Sequence, residues 1–171
     1  DKDTLKEFLR VIDRHATRMS RLIDDLLTLS RLESHQMTIV SAPVDMKDII
    51  QATTTGFEKQ ARDKGITISS RIPDRLQRAS GDKDRLEQVL VNLLDNAIKY
   101  TQSGGHVSVA ASSDNGCVRV DVTDTGIGIP ADDIARIFER FYRVDKARSR
   151  ELGGTGLGLA IVKHIIQGHN G

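Results

Sequence analysis

Residues 1 to 34 carry a heptad seam: Leu9, Ile12, Ala16, Met19, Ile23, Leu26 and Ser30 recur in alternating steps of three and four. That spacing lays side chains along one stripe of a helix, the stripe by which helices join in bundles and coiled coils. Asp13, Arg14, Arg18, Arg21, Asp24 and Asp25 fall on the other faces. The pattern predicts one long helix, with Thr4 to Glu7 as a capping box at its start. A seam this regular wants a helical partner, and none follows nearby in the sequence. Either the helix packs on its own domain, or further chain or a second subunit completes a bundle.

After Glu33 the period changes. "QMTIVSAPVD" reads as a short strand and a turn, with Pro43 arguing against helix. Asp45 predicts a helix cap, the helix running from Met46 to Lys64 and ending at Gly65. "ITISSRI", residues 66 to 72, alternates as a strand and is closed by Pro73. In "GDKDRLEQVLVNLLDNAIKYT", Asp82 predicts the cap of a helix whose apolar stripe is Leu86, Val89, Leu90, Leu93, Leu94, Ala97 and Ile98. "HVSVAASSDNGCVRVDVTD" predicts a hairpin turning at Asn115-Gly116. Pro130 and "ADDIARIF" open a short helix, residues 143 to 154 form a charged loop without periodicity, and a last helix runs from Thr155 to Gln167. Helices and antiparallel strands mix without regular βαβ alternation, which predicts an α+β fold.

Composition narrows the chemistry. Lys and Arg number 25 against 24 Asp and Glu, a formal net charge of +1, so no bulk charge draws the chain to nucleic acid or an anionic membrane. Any phosphate binding must come from local groups. A single cysteine, Cys117, excludes an internal disulfide and fits a reducing compartment. His, Cys and carboxylate spacings show no zinc or iron–sulfur pattern. There is no signal peptide and no apolar run near 18 residues, which predicts a soluble segment.

Three short stretches carry polar groups in places that need explaining. In "NLLDNAIKYT", Asn92, Asn96 and Lys99 share one helical face beside the apolar stripe. An amide oxygen suits magnesium and an ammonium suits phosphate, although the same residues could simply be where the surface begins. In "DTGIGIP", Asp124 ends a strand that alternates toward the core, so its carboxylate is expected to be partly buried and to need a donor such as the exocyclic amine of a purine. The alternative is an ordinary glycine turn. In "GGTGLGLAIV", Gly153, Gly154, Gly156 and Gly158 crowd a helix start, where glycine is ~1 kcal/mol worse than alanine. Bare N–H groups at a helix N-terminus suit an anion, and a flexible hinge is the competing explanation.

Together and in this order, the stretches resemble the ATP-binding part of sensor histidine kinases, in the superfamily that includes gyrase, the Hsp90 chaperones and MutL. "NLLDNAIKYT" is similar to their N box, "DTGIGIP" to the G1 box, "IFERFYRVD" to the F box and "GGTGLGLAI" to the G2 box. "LIDDLLTLSRLES" is similar to the end of the second dimerisation helix. The resemblance implies a two-layer α/β sandwich, a mixed sheet with helices on one face, preceded by one dimerisation helix. It implies a division into residues 1–35, part of the dimerisation domain, and 36–171, an ATP-binding catalytic domain short of its usual C-terminus. It also implies roles: Asn96 as magnesium ligand with Asn92 beside it, Lys99 and Tyr100 on phosphates, and Asp124 reading adenine. Gly126, Gly128 and Ile129 would shape that turn and Arg143 would reach the γ-phosphate. Gly154, Thr155, Gly156, Leu157 and Gly158 would line the phosphates, and residues 143–153 would form a lid.

The implied function is protein-histidine kinase of a two-component system, using ATP and Mg2+. The γ-phosphate would pass to a histidine on the dimerisation helices and then to an aspartate of a response regulator. Homodimerisation through those helices, a cytoplasmic setting and a parent anchored in the bacterial inner membrane follow from the same resemblance. One box is missing: no H-box string holds an acceptor histidine, and His15, in "DRHATRM", flanks the seam. The first dimerisation helix is therefore expected outside this sequence, and the chain alone is not expected to phosphorylate itself. Two other classes stay open, a gyrase- or chaperone-type ATPase and a non-catalytic nucleotide-binding module. Such ATPases place a glutamate four residues before the magnesium asparagine. Here that position is Asn92, and an amide cannot act as a base.

Overall fold

The computed structural model describes residues 1–34, 39–145 and 153–171, without the Arg14 side chain. Helix α1 spans Lys2–Glu33, 32 residues and about 48 Å at 1.5 Å per residue. Its cap is Asp1, whose carboxylate accepts the Asp3 N–H at 3.3 Å. The expected capping box at Thr4 does not form, because Asp1 already serves the first turn and Thr4 lies inside it.

Strand β1 (Ala42–Val44) leads into α2 (Met46–Asp63), capped by Asp45 through a 2.9 Å bond from the Lys47 N–H. Gly65, at φ +70°, turns the chain out of the helix as its position predicted. Strand β2 (Thr67–Arg71) follows, then β3 (Ala79–Gly81) and α3 (Lys83–Tyr100), capped by Asp82. Strands β4 (His106–Asp114) and β5 (Cys117–Asp124) form the expected hairpin. Asn115 and Gly116 both have positive φ, the geometry a two-residue turn of matching twist demands. Two differences concern β1 and β3, which pair with each other antiparallel, Pro43 opposite Ser80. Pro43 lies within a strand of a two-stranded ribbon, where its missing N–H can face outward. The sequence "ASG" of β3 has neither alternation nor β-branched residues, so nothing marked it as a strand.

The main sheet has the order β2-β4-β5, β2 parallel and β5 antiparallel to β4. A parallel pair needs a long crossover, and α3 supplies it. Helices α2 and α3 cover the sheet with Ile49, Ile50, Leu90, Leu94 and Ile98 packed on Val107 and Val109. This is the mixed sheet with helices of an α+β chain, preceded by one long helix.

Beyond the sheet, α4 (Ala131–Ile134) is only four residues long, half the expected "ADDIARIF" helix, and turns follow it. Helix α5 (Gly158–Gly168) begins three residues later than predicted, since Gly156 at φ +75° cannot belong to an α-helix. His169 ties its end to the start of α3: Nδ1–H donates to the Ile165 carbonyl at 2.7 Å and Nε2 accepts the Asp82 N–H at 2.9 Å. The expected loop 143–154 lies mostly outside the described residues.

A second core joins α1 to its own domain. Leu22, Leu29 and Leu32 pack against Leu157, Ala160, Ile161 and Ile165, with Val89 and Leu93 of α3. Leu29 is 1% exposed. The face used is not the seam. Leu9, Ile12, Met19, Ile23 and Leu26 remain 50–63% exposed. The two readings of α1 are therefore compatible: one face packs inward, and the heptad face stays open.

Candidate functional site

Three segments remote in sequence converge at the C-terminal half of α3. The first is its polar face. Asn92 and Asn96 are both half-buried, and the Asn92 amide donates to the Gly158 carbonyl at 3.3 Å, fastening α3 to the first turn of α5. Asn96 makes no hydrogen bond of its own among the described residues, so its amide oxygen stays available. Lys99 pairs with Asp95 at 2.5 Å, both side chains largely covered. Asp95 was not singled out in the sequence, although its i,i+4 spacing to Lys99 is the signal for such a pair. Lys99 is thus a cation already held by a carboxylate, aimed by it rather than loose in solvent.

The second segment is the turn after β5. Asp124 is exposed rather than partly buried as expected. It is the last residue of its strand, opposite Val107, and its Oδ1 turns back to accept the Gly126 N–H at 2.8 Å. The turn leans on the end of α3, where Ile127 N–H donates to the Tyr100 carbonyl at 3.3 Å. A Cβ on Gly126 would come within 2.6 Å of both that carbonyl and Asp124 Oδ1. No residue but glycine fits there. One carboxylate oxygen is fixed by the backbone, and the second has no hydrogen bond among the described residues. Gly128, at φ +70°, completes the bend, and Ile127 and Ile129 are about half exposed beside it.

The third segment is the glycine loop. Gly156 accepts the Phe141 N–H at 2.8 Å, and a Cβ on it would lie 2.9 Å from Phe141 Cα. Arg143 donates to the Gly154 carbonyl. Thr155 Oγ1 accepts the Leu157 N–H at 3.3 Å and donates to Asp25 Oδ2 at 2.8 Å. Leu157 is fully buried and anchors the loop in the second core. The loop is therefore clamped on three sides, by the segment 141–143, by α3 through Asn92, and by α1 through Asp25. The heptad pattern puts Asp25 off the seam, on one of the other faces of α1. Its contact joins residues 130 positions apart, and no local spacing encodes it. Burial pushes the Asp25 carboxyl above its ordinary value, against the Thr155 hydrogen bond, which lowers it.

The site residues named in the sequence are thus brought to one end of the domain, except that the expected lid residues 146–152 lie outside the described set. Arg143 and Lys99 both have intramolecular partners, which a bound anion would have to replace. Among the described residues no group of three His, Cys, Asp or Glu could hold a metal. A cation at Asn96 would need further oxygens from a ligand, as magnesium beside phosphates has. The free Asn96 oxygen, the second oxygen of exposed Asp124 and the glycine-only contact at Gly126 fit a nucleotide with its magnesium.

Comparison with known proteins agrees with this geometry. Residues 81–171 match the family described as histidine kinase-, DNA gyrase B-, and HSP90-like ATPase, and residues 1–35 match the His Kinase A (phospho-acceptor) domain. The chain is 39% identical to the sensor histidine kinase WalK of Bacillus subtilis over all of its own length and 28% of that protein's. It superposes on full-length ShkA, solved in complex with AMPPNP, with a TM-score of 0.82 and 32% identity, covering 95% of this chain and 34% of ShkA. It also superposes on the histidine kinase ThkA in complex with the response regulator TrrA, with a TM-score of 0.77 and 25% identity, covering 100% of this chain and 46% of that one. The chain spans less than half the length of the curated relatives it matches. With its sheet, its glycine turn at Asp124 and its glycine loop ahead of α5, the chain belongs to the histidine kinase-, DNA gyrase B-, and HSP90-like ATPase family.

Proposed function

We propose that this chain is the nucleotide-binding catalytic region of a two-component protein-histidine kinase, residues 36–171 binding Mg-ATP and residues 1–35 forming one dimerisation helix. The observation that carries it is the meeting of the Asn92–Asn96–Lys99 face, the Asp124–Gly126 turn and the glycine loop at one end of the sheet. Mg-ATP supplies the γ-phosphate and, through the metal, neutralises part of its charge. Asp124 reads the base: its second oxygen accepts from an adenine amine, while the Gly126 N–H fixes the other oxygen. Asn96 offers a neutral oxygen to magnesium. Lys99, oriented by Asp95, and Arg143, next to Gly154, contribute positive charge on the phosphate side. Transfer chemistry of this kind depends on positioning and charge neutralisation more than on a protein base. Asn92 at the position of a hydrolytic glutamate favours transfer over hydrolysis.

The acceptor histidine, the response regulator and the dimer partner belong to the same reading, as do a cytoplasmic setting and an inner-membrane parent. No helix among the described residues is long and apolar enough to cross a membrane. The test mixes the chain with γ-labelled ATP and a dimeric helix pair carrying an H-box histidine. Acid-labile label on that histidine, passing on to a receiver-domain aspartate, is the expected result. Release of inorganic phosphate without label on the helices would favour the ATPase reading instead.

A further inference from the structure

The Asp25–Thr155 contact brings a carboxylate from α1 onto the middle of "GGTGLG". Asp25 is about half-buried there, and among the described residues Lys99 and Arg21 lower its carboxyl's affinity for a proton while Asp24 raises it. Arg21, Lys64, Asp95 and Lys99 line one cleft where α1, α2 and α3 meet. Within it Lys64 is committed to the carbonyls of Ile98 and Lys99, at 2.6 and 2.7 Å. The contact is braced from both sides. Leu22, Leu29 and Leu32 pack on α5, and at the end of α1 Glu33 pairs with Arg140 and lies 3.6 Å from His164 Nε2. Thr155 thus spends its one hydroxyl proton on Asp25, and a carboxylate already stands against the loop that would receive phosphate.

We propose that Asp25 is a charge gate on the glycine loop, opposing occupancy by a polyphosphate for as long as α1 is docked in this arrangement. The inference rests on reading the loop as the phosphate site. Its logic is competition for one set of donors. A triphosphate beside the docked carboxylate meets like charge, so the bound state favours withdrawal of Asp25 and with it a looser hold of α1 on the loop. Nucleotide binding and helix docking are then linked, and each weakens the other by the same factor. A hydroxyl donor and a carboxylate suit this purpose, since their bond is strong enough to hold and is lost when a better anion arrives.

The test compares Asp25→Asn with the unaltered chain by titration with AMPPNP and with adenosine, at roughly pH 8, above the ordinary carboxylate range. Asparagine keeps the shape and still accepts from Thr155, and removes only the charge. Asp24→Asn is the control, since it makes the same change of net charge on an exposed neighbour without touching Thr155. The expected result is AMPPNP affinity raised about three- to tenfold in Asp25→Asn, as one partly screened like charge implies, with adenosine affinity unchanged. The gain should shrink as salt rises. Equal AMPPNP affinity in Asp25→Asn and the unaltered chain overturns the gate, as does an equal gain in Asp24→Asn or a matching gain for adenosine. Failure of the unaltered chain to bind either compound overturns the nucleotide-site reading itself, which keeps the two failures apart.

Discussion

Three alanine substitutions in one glycine run should have three different outcomes. Gly156 sits at φ +75°, and an added Cβ would stand 2.9 Å from Phe141 Cα and 3.0 Å from its carbonyl carbon. Backbone does not swing aside as the tip of a long side chain does. Gly156→Ala therefore carries the left-handed cost of ~1–2 kcal/mol. It also threatens the Phe141 N–H bond to the Gly156 carbonyl, a further ~0.5–1.5 kcal/mol. Gly153 has a similar φ of +71° but, among the described residues, nothing within 4 Å of an added Cβ, so Gly153→Ala should carry only the first cost. Gly158 opens α5 and would place its Cβ at an ordinary 3.6 Å from Asn92 Cγ, so Gly158→Ala should be neutral within ~0.5 kcal/mol.

Thermal unfolding reads the series directly. For a chain of this size each kcal/mol shifts Tm by roughly 2–4 °C, so Gly156→Ala should fall by about 3–14 °C and Gly158→Ala by less than about 2 °C. Titration with AMPPNP reads the loop, where Gly156→Ala should lose the most affinity. If Gly156→Ala unfolds with Gly158→Ala, the close approach to Phe141 is refuted. If it loses stability and keeps its affinity, the loop that Phe141 pins is not the phosphate loop.

Asp124→Asn retains an oxygen for the Gly126 N–H but turns a donor toward an adenine amine. ATP-analogue affinity should fall roughly ten- to a hundredfold, and GTP should bind the unaltered chain weakly. Ile12→Asp and Ile23→Asp should abolish concentration-dependent association in sedimentation, whereas Leu29→Asp should leave association and undock α1, seen as faster amide exchange in α5. The raised carboxyl of Asp25 makes docking pH-dependent. The docked state holds the proton more tightly, so its contribution is fully present below the ordinary Asp value and is lost as pH rises through the raised one. Thermal stability should decline across that window, and Asp25→Asn should flatten the decline. His169→Ala removes the bridge between Ile165 and Asp82, and Tm should fall by about 2–12 °C through loss of two hydrogen bonds.

What the sequence made legible is what local spacing encodes. The caps Asp45 and Asp82, the turn at Asn115-Gly116 and the stripe of α3 are each written within a few residues, and each forms as read. The shared face of Asn92, Asn96 and Lys99 follows from helical period alone. The strand β3 was not legible, because three residues without alternation become a strand only by pairing with β1. Asp124 was misjudged for a related reason. Alternation describes the middle of β5, and at the strand's end the carboxylate answers to the Gly126 N–H rather than to the core. The glycine loop was read as room for a ligand. At Gly156 the nearest demand is internal, a neighbouring backbone that leaves no room for a Cβ. The two demands are compatible, since a loop pinned against Phe141 and Asn92 holds one backbone conformation.

Helix α1 shows most plainly where sequence reasoning stops. Its heptad names one stripe, and that stripe is the one left open. The face that packs inward, Leu22, Leu29 and Leu32 with Asp25 between them, also falls at helical spacing, but it overlaps a run of charged residues and is weaker than the seam beside it. Two faces with different partners on one helix make α1 a shared element. A change in how the seam is engaged must be felt by the inner face, because both are borne by one rigid backbone. The inner face ends at Thr155, one residue from Arg143's contact at Gly154 and three from the first turn of α5 where Asn92 holds. The path from an assembling seam to the loop that would hold the phosphates is therefore one helix and one hydrogen bond long, with Asp25 as the group whose charge each side must accommodate.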